Sequence, residues 1–519
     1  MKTLRSHVCG HWHEATTGFT ELHDPCSEQV VARVSSVGID FRATLEHARS
    51  KGGPTLRQLT FAQRGDLLQS MSKALYADRD ALIELSLQTT GTTRKDAKFD
   101  LDGATATLAF YANLGKELGN RRVLVDGEGL ALGRTERFYG RHMRVPLLGA
   151  AIQINAFNFP AWGFAEKAAC SLLAGVPAIS KPASSTAMVT ARCVEILVEA
   201  NILPDGVLQF ICGEAGDLLS HLGPQDALAF TGSAATALKL RRAENLLASS
   251  TRVNIEADSL NAAVLGPDVA VGSDTWNLFL KDVEREITQK TGQKCTAVRR
   301  VFVPASMLDT VLSELADRLG RVVTGNPADP SVTMGPLTSA RQLEDALAGI
   351  TALQAQARLV LGSGHRIDGV GNPGGTGFFL APTLLHAADA RAATAVHDHE
   401  VFGPVATVMT HDDSAEDAAS LVALGQGTLV TSVYSDDDAW VSRFVEAGGA
   451  WTGRLYLGSS KMAEQAMGSG LVLPQSVHGG PGRAGGGEEL GGLRGLEFYT
   501  RRVALQGSRK MVESLAGER

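Results

Sequence analysis

Six cysteines occupy positions 9, 26, 170, 193, 212 and 295, and Cys295 differs from the rest in its setting. It lies in Thr291-Gly292-Gln293-Lys294-Cys295-Thr296-Ala297, after a predicted helix and before a predicted apolar strand. Its small and polar neighbours leave the sulfur room for a substrate. A thiol attacks carbon as the thiolate, and nearby positive charge or a helix N-terminus raises the thiolate fraction. Lys294 is the expected source of that charge. A free cysteine is also commonly a small buried hydrophobe, and the other five are read so. Glu256 closes the apolar approach Val253-Asn254-Ile255 and precedes a polar loop. A lone acid at a strand end is usually solvated, so its local signal is weak. Asn158, in Asn155-Ala156-Phe157-Asn158-Phe159-Pro160, directly follows a strand. Asparagine favours a turn there, and its side-chain amide can also hold developing negative charge on oxygen.

Two further strand ends carry polar signals. Lys181-Pro182-Ala183-Ser184 places a lysine where it either decorates the surface or meets a nucleotide. Phe230-Thr231-Gly232-Ser233 opens a helix whose free N–H groups suit a phosphate. The glycine-dense run from His478 to Gly495 contains Gly480-Pro481-Gly482-Arg483-Ala484-Gly485, a match to Gly-x-Gly-x-x-Gly. That fingerprint has a mechanism only between a strand and a helix, with an acidic residue about 20 positions on. Proline inside it and glycines after it favour an ordered functional loop over a phosphate site.

The elements that must position these residues alternate. Strands are predicted at 149–154, 177–180, 207–211 and 227–230, with helices at 162–174, 186–200 and 216–222 between them. A second cycle predicts helices at 279–290, 307–319 and 343–357 and a strand at 297–303. Such alternation argues for doubly wound parallel sheets, which bind ligands at the carboxyl ends of their strands. The picture is two α/β units with a cleft between them. Apolar residues from Phe61 to Leu85 recur at helical spacing, so 60–118 is read as helical. The first 50 residues suggest an edge hairpin or arm.

At 519 residues the chain has room for about two to four compact units. Hydrophobic residues make up 44% and charged residues 20%, which excludes a disordered chain or a rod. The net charge of −7 gives no global attraction for nucleic acid or anionic membrane. The most apolar stretch, Leu147 to Ala165, is broken by Gln153, Asn155 and Asn158, so no membrane span is expected. No signal peptide, Cys-x-x-Cys pair or metal site is read, and the expected setting is a reduced cytoplasm.

Taken in order, the motifs resemble the NAD(P)-dependent aldehyde dehydrogenase superfamily over essentially the whole chain. They are Asn158-Phe159-Pro160, Lys181-Pro182-Ala183, Phe230 to Ser233, Glu256, Gly292 to Cys295, Met334-Gly335-Pro336-Leu337 and Glu400-Val401-Phe402-Gly403-Pro404. The resemblance implies an α/β fold with a Rossmann-type cofactor domain (1–127 and 147–258) and an α/β catalytic domain (259–482). It also implies a small β oligomerisation flap with a C-terminal tail (128–146 and 483–519), building a homodimer or higher oligomer. It implies that Cys295 attacks an aldehyde, that Asn158 and the Cys295 N–H hold the oxyanion, and that Glu256 activates the hydrolytic water. Lys167 and Glu489 match a proton-relay pair. Ile154, Phe157, Lys181, Ser184, Gly216, Thr231, Gly232, Ser233, Glu400 and Phe402 match cofactor-binding positions. Where NAD-preferring members often carry glutamate, this chain has Ser184, which cannot repel a 2′-phosphate. NADP is therefore expected over NAD, with NAD possible.

The departures are Ala257-Asp258 after the glutamate, Ala237 where glycine is common, and the glycine-rich late segment. They resemble a branch that handles CoA-thioester semialdehydes released when bacteria open aromatic rings, in phenylacetate or benzoate oxidation. The substrate implied is an aldehyde, CoA-linked, with Arg299, Arg300 and Arg483 as candidate CoA contacts or structural arginines. The alternatives are a general medium-chain aldehyde dehydrogenase, a CoA-acylating relative, or a non-catalytic protein on the same fold. A CoA-acylating relative commonly lacks the glutamate. A cysteine hydrolase would need a histidine on Cys295, and His397, His399 and His478 lie in no recognisable motif for it.

Overall fold

The strands read between 149 and 256 assemble into one sheet. Its order is Arg252–Glu256, Ala227–Thr231, Ala151–Ile154, Ala178–Lys181, Leu208–Phe210, Ser6–Val8 and His11–His13. The first five run parallel, and the N-terminal hairpin closes the edge antiparallel. The residues of the parallel strands are mostly buried, as helices cover both faces of a parallel sheet. The computed structural model describes residues 1–135, 137–372 and 374–516. Glu136 and 517–519 of the expected flap and tail, and Pro373 of the expected catalytic domain, lie outside the described residues.

The helices Phe61–Ala77, Arg79–Thr90 and Arg94–Leu118 occupy the region read as helical. The first carries a full capping box between Thr60 and Gln63. Trp162–Ala174 is almost wholly buried and packs against Arg94–Leu118. It starts directly after Asn155–Pro160, so its first turn and the strand end before it share one corner of the sheet.

The second sheet has the order Arg358–Leu361, Thr383–His386, Val405–His411, Arg300–Pro304, Ala262–Leu265, Thr428–Tyr434 and Thr452–Gly458. Only the first strand is antiparallel. A third sheet pairs Phe138–Pro146 with Leu124–Ala131 on one side and Thr500–Ser508 on the other.

Four readings need correction. Residues 216–222 form only a 3₁₀ turn at Leu218–His221, because Gly216 is left-handed (φ 48°) and Pro224 follows closely. The helix read at 279–290 starts at Asp274 under a Ser273 cap and stops at Thr288, where Lys290 and Thr291 turn left-handed. The strand read from 297 begins at Arg300, because Cys295 to Arg299 form an irregular segment held by side chains. The expected tail divides: Leu490, Leu496 and Tyr499 enter the core of the first unit, and only Thr500–Ser508 joins the flap sheet.

A buried arginine holds the entry to the second unit. Arg300 donates to the Leu260 carbonyl from Nε (3.1 Å) and Nη2 (2.8 Å), to Leu421 (3.3 Å) and to Val422 (2.9 Å). It ties the linker after Glu256 to the second sheet. Replacing Arg300 by Met would strand these carbonyls, each unmade buried bond costing about 1–3 kcal/mol. Scanning calorimetry should show the main transition lowered by several degrees, and an unchanged transition would show that the carbonyls find other donors.

Candidate active site

The carboxyl ends of the first sheet line up. Register pairs Ile154 with Lys181, Phe230 with Ile154, and Thr231 with Glu256, so all four strands end along one edge. Over this edge lies the loop bearing Cys295. Asn261 Nδ2 donates to the Cys295 carbonyl (2.7 Å) and the Ala297 carbonyl (2.9 Å). Arg299 donates to Gly403 (2.8 Å) and Lys294 (3.2 Å), Thr291 to Gly335 (3.0 Å), and Thr296 to Gly470 (2.9 Å). Lys290, Thr291 and Gly292 are successive left-handed residues (φ 53°, 58° and 65°). This rare run turns the chain sharply between the helix end and the cysteine.

One narrow pocket collects Asn158, Lys167, Thr231, Glu256 and Cys295, together with Glu166 and His478, which the sequence reading did not select. Its apolar wall is Phe99, Phe159, Trp162 and Val472. Phe99 and Phe159 meet Trp162 edge-on at 5.3 and 5.8 Å. Cys295 is half-buried, whereas Asn158, Lys167, Glu256 and His478 are buried.

Glu256 is thus not the solvated acid its local sequence suggests. Its Oε2 accepts from His478 Nε2 at 3.0 Å, and Oε1 is buried with no hydrogen-bond partner among the described residues. Burial pushes its pKa up, but the charge and hydrogen bond of His478 and the charge of Lys167 outweigh this and hold it down. For His478 burial pushes down, and Glu256 and Glu166 reverse that to a net rise. The two form an imidazolium–carboxylate pair. Burial first, then the charge of Glu256, holds the Cys295 thiol well above its ordinary range.

The role read for Lys294 is overturned. Its ammonium turns away from the sulfur into the core, pairing with Glu286 at 2.6 Å and Gln289 at 2.9 Å. A lysine next to a cysteine in sequence points elsewhere here because a buried ammonium goes to its carboxylate.

Lys167 Nζ lies 3.0 Å from Glu489 and 3.3 Å from Glu166. Burial would discharge this lysine, and the two carboxylates keep it charged. Asn254 donates to the other Glu489 oxygen at 3.2 Å. Glu166 is pushed up by burial against the pull of Lys167.

His478 and Glu489 are direct register partners in the hairpin formed by Val477–Gly479 and Glu488–Leu490. The apparent dinucleotide fingerprint is therefore the connection of a hairpin, with no helix packed for a phosphate. Its glycines serve close approach. The Gly487 N–H donates to the Ile255 carbonyl (3.2 Å), and Ala257 N–H to the Ala484 carbonyl (3.1 Å). A Cβ at left-handed Gly485 (φ 110°) or at Gly487 would collide with the Ile255 carbonyl oxygen. Nothing in the local sequence marks His478, because glycine composition masks its strand.

The cofactor positions are spread along the same edge. Ser233 caps the helix Ala234–Arg241, and the Thr231 hydroxyl is buried without a partner among the described residues. Phe157 and Phe402 meet edge-on across the cleft at 5.7 Å. Glu400 accepts from Ser259 N–H (3.3 Å) beside Arg299 (3.6 Å), and burial followed by nearby Asp258 pushes its pKa up. Lys181 donates to the Pro182 carbonyl (3.2 Å), and Ser184 opens a half-buried 3₁₀ turn. Gly216 is exposed beside Phe41 and lines no part of the Cys295 pocket. A helix N-terminus, an unpaired buried hydroxyl and two facing rings fit a nicotinamide nucleotide. The three arginines considered for CoA are structural: Arg299 and Arg300 hold carbonyls in the core, and Arg483 pairs with Asp258 and donates to His397 and Asp398 carbonyls.

Changing Gly292 to Ala should cut turnover by on the order of tenfold to a hundredfold, because a Cβ there would strike the Gly403 carbonyl and move the cysteine loop. Nucleotide binding measured by fluorescence titration should be the less affected quantity. Full turnover in this variant would show that the loop has room to adapt.

Comparison with known proteins agrees with this geometry. The aldehyde dehydrogenase family pattern matches residues 12–504. A 3,4-dehydroadipyl-CoA semialdehyde dehydrogenase of Aromatoleum evansii is 42% identical over 478 residues, covering 92% of this chain and 93% of that protein. The solved betaine aldehyde dehydrogenase of Staphylococcus aureus in complex with NAD+ superposes with a TM-score of 0.84 at 24% identity, covering 97% of this chain and 95% of that one. Lactaldehyde dehydrogenase of Escherichia coli gives a TM-score of 0.84 at 22% identity, covering 97% and 99%. At these identities the solved structures speak for the fold.

Proposed function

The chain belongs to the aldehyde dehydrogenase family, and we propose that it oxidises a CoA-thioester semialdehyde from aromatic ring cleavage to the acid, with NADP preferred. It is an aldehyde dehydrogenase using a pyridine nucleotide. The finer reading is carried by one observation: the relative that is 42% identical over nearly its whole length is named for a CoA semialdehyde.

In this reading Cys295 attacks the aldehyde carbon, and the Asn158 amide and Cys295 N–H hold the oxyanion. A pyridine nucleotide held along the strand-end edge by Thr231, Ser233, Glu400 and Phe402 would supply the hydride acceptor. The thioester left on Cys295 is cleaved by water, whose proton Glu256 takes through a carboxylate oxygen. Lys167 and Glu489, with Glu166 beside them, would carry that proton outward. An acyl-enzyme route divides one hard step into two easier ones. The buried Glu256 supports hydrolysis over transfer of the acyl group to CoA. The narrow aromatic pocket supports a slender aldehyde arm, with the bulk of a CoA ester outside it.

Ser184 supports the NADP preference, since no carboxylate stands at this position. Lys181 is half-buried and Glu214 lies near it. The test is nucleotide reduction by the purified protein with a medium-chain aldehyde and with a CoA semialdehyde, under NADP and NAD in parallel, with Cys295→Ala as blank. The expected result is NADP-preferred turnover that is greater on the CoA substrate and absent in the blank. Ser184→Glu should then lower the NADP-to-NAD ratio of kcat/KM by roughly tenfold or more. A wild-type preference for NAD, or indifference to the CoA group, would overturn the finer reading.

The relay carries its own pH prediction. Lys167 helps hold Glu256 ionised, so removing its charge raises the Glu256 pKa. A base with a higher pKa is protonated sooner as pH falls. In Lys167→Met the acid limb of kcat should therefore shift to higher pH, on the order of half a unit or more. An unmoved limb would separate Lys167 from Glu256.

A further inference from the structure

The reaction scheme above leaves one buried group at its centre unused. His478 Nε2 lies 3.8 Å from Cys295 Sγ and 3.0 Å from Glu256 Oε2. The three reactive atoms all fall within 4.8 Å of one another. A nucleophilic thiolate and a carboxylate base must both work inside this space, and two anions so close repel each other. A single cation touching both removes that conflict.

We propose that His478 is a catalytic residue of this reaction: its imidazolium N–H is shared between Glu256 and Cys295, and it is the counter-ion of the attacking thiolate. The proposal deepens the dehydrogenase reading and rests on it. In the resting site the Nε2–H donates to Glu256 and the thiol is protonated. Activation breaks the S–H bond and forms an O–H bond on Glu256, while Nε2–H turns its donation to the sulfur. One proton moves, the net charge of the trio is unchanged, and no oxidant is involved. The sulfur lone pair then forms the C–S bond, and the carbonyl π pair goes to oxygen. Glu256 must release that proton before it can serve the later water, and the Lys167–Glu489 chain lies beside it.

The surrounding groups suit a charged imidazole. Glu166, from the helix Trp162–Ala174, favours the cation, and Glu489 stands opposite in the hairpin. Arg454, from the strand Thr452–Gly458, opposes it. Its guanidinium, however, is held by the carbonyls of Ser469 (3.1 Å) and Leu471. Lys167 is already committed to two carboxylates. His478 is thus the cation within hydrogen-bonding reach of the sulfur among the described residues.

The test is the rate of iodoacetamide alkylation at Cys295 in the full chain, followed by mass spectrometry across about pH 6 to 8. Cys295→Ser serves as the blank. No aldehyde or nucleotide is added. A proton shared within the trio gives the wild type a reactivity nearly independent of pH in this range. His478→Asn and His478→Gln, which lack the counter-ion, should fall about tenfold or more at pH 7. A wild-type rate that climbs about tenfold per pH unit like an unassisted thiol, or an undiminished rate in a folded variant, would overturn the proposal. A climbing wild-type profile overturns it even if both variants misfold. Because alkylation needs no substrate, a chain that oxidised no aldehyde would fail the functional reading while leaving this profile intact.

Discussion

The site depends on how closely the hairpin at 477–490 approaches the end of the strand Arg252–Glu256. The Ile255 carbonyl accepts from Gly487, and the positions around it have no space for a side-chain carbon. That contact brings His478 onto Glu256 and Glu489 onto Lys167 from one short element. The glycines cost conformational entropy in the unfolded chain. The offset is a backbone seated where no other residue type fits.

The charges gathered by this contact form a compensated set. Two cations, Lys167 and His478, face the buried carboxylate Glu256 and the half-buried Glu489 and Glu166. An isolated buried charge would shift its pKa and neutralise, whereas a paired one keeps its charge. Burial and charge therefore act in opposite directions on Glu256, and charge wins. On Cys295 both act together and keep the thiol protonated at rest. The nucleophile is stored in its unreactive form, beside the groups that can take its proton.

Two α/β units supply this site, and neither holds it alone. The first contributes Asn158, Lys167 and Glu256 from its sheet edge and the helix after it. The second contributes Cys295 on a loop tied down by Asn261, Arg299 and Thr296. Arg300 ties Leu260, at the entry to the second unit, to the helix bearing Leu421 and Val422 through backbone carbonyls.

Much of this was legible from residue order. Alternating apolar runs marked the strands of the first sheet, since a parallel strand is buried on both faces and reads as continuous hydrophobic sequence. Strand-end motifs marked Asn158, Thr231 and Glu256 for the same reason, because ligands meet such sheets at their carboxyl edge, whereas Cys295 stood out by its loop setting before a strand. Tertiary structure alone decided the rest. It turned Lys294 toward Glu286 and away from the sulfur beside it in sequence, since a buried ammonium follows its carboxylate. It shortened the helix read at 216 to one turn through a left-handed glycine. It also set His478 between Cys295 and Glu256 across 183 and some 220 residues of chain. No local pattern encodes that meeting, because it arises from packing one hairpin backbone against one strand end.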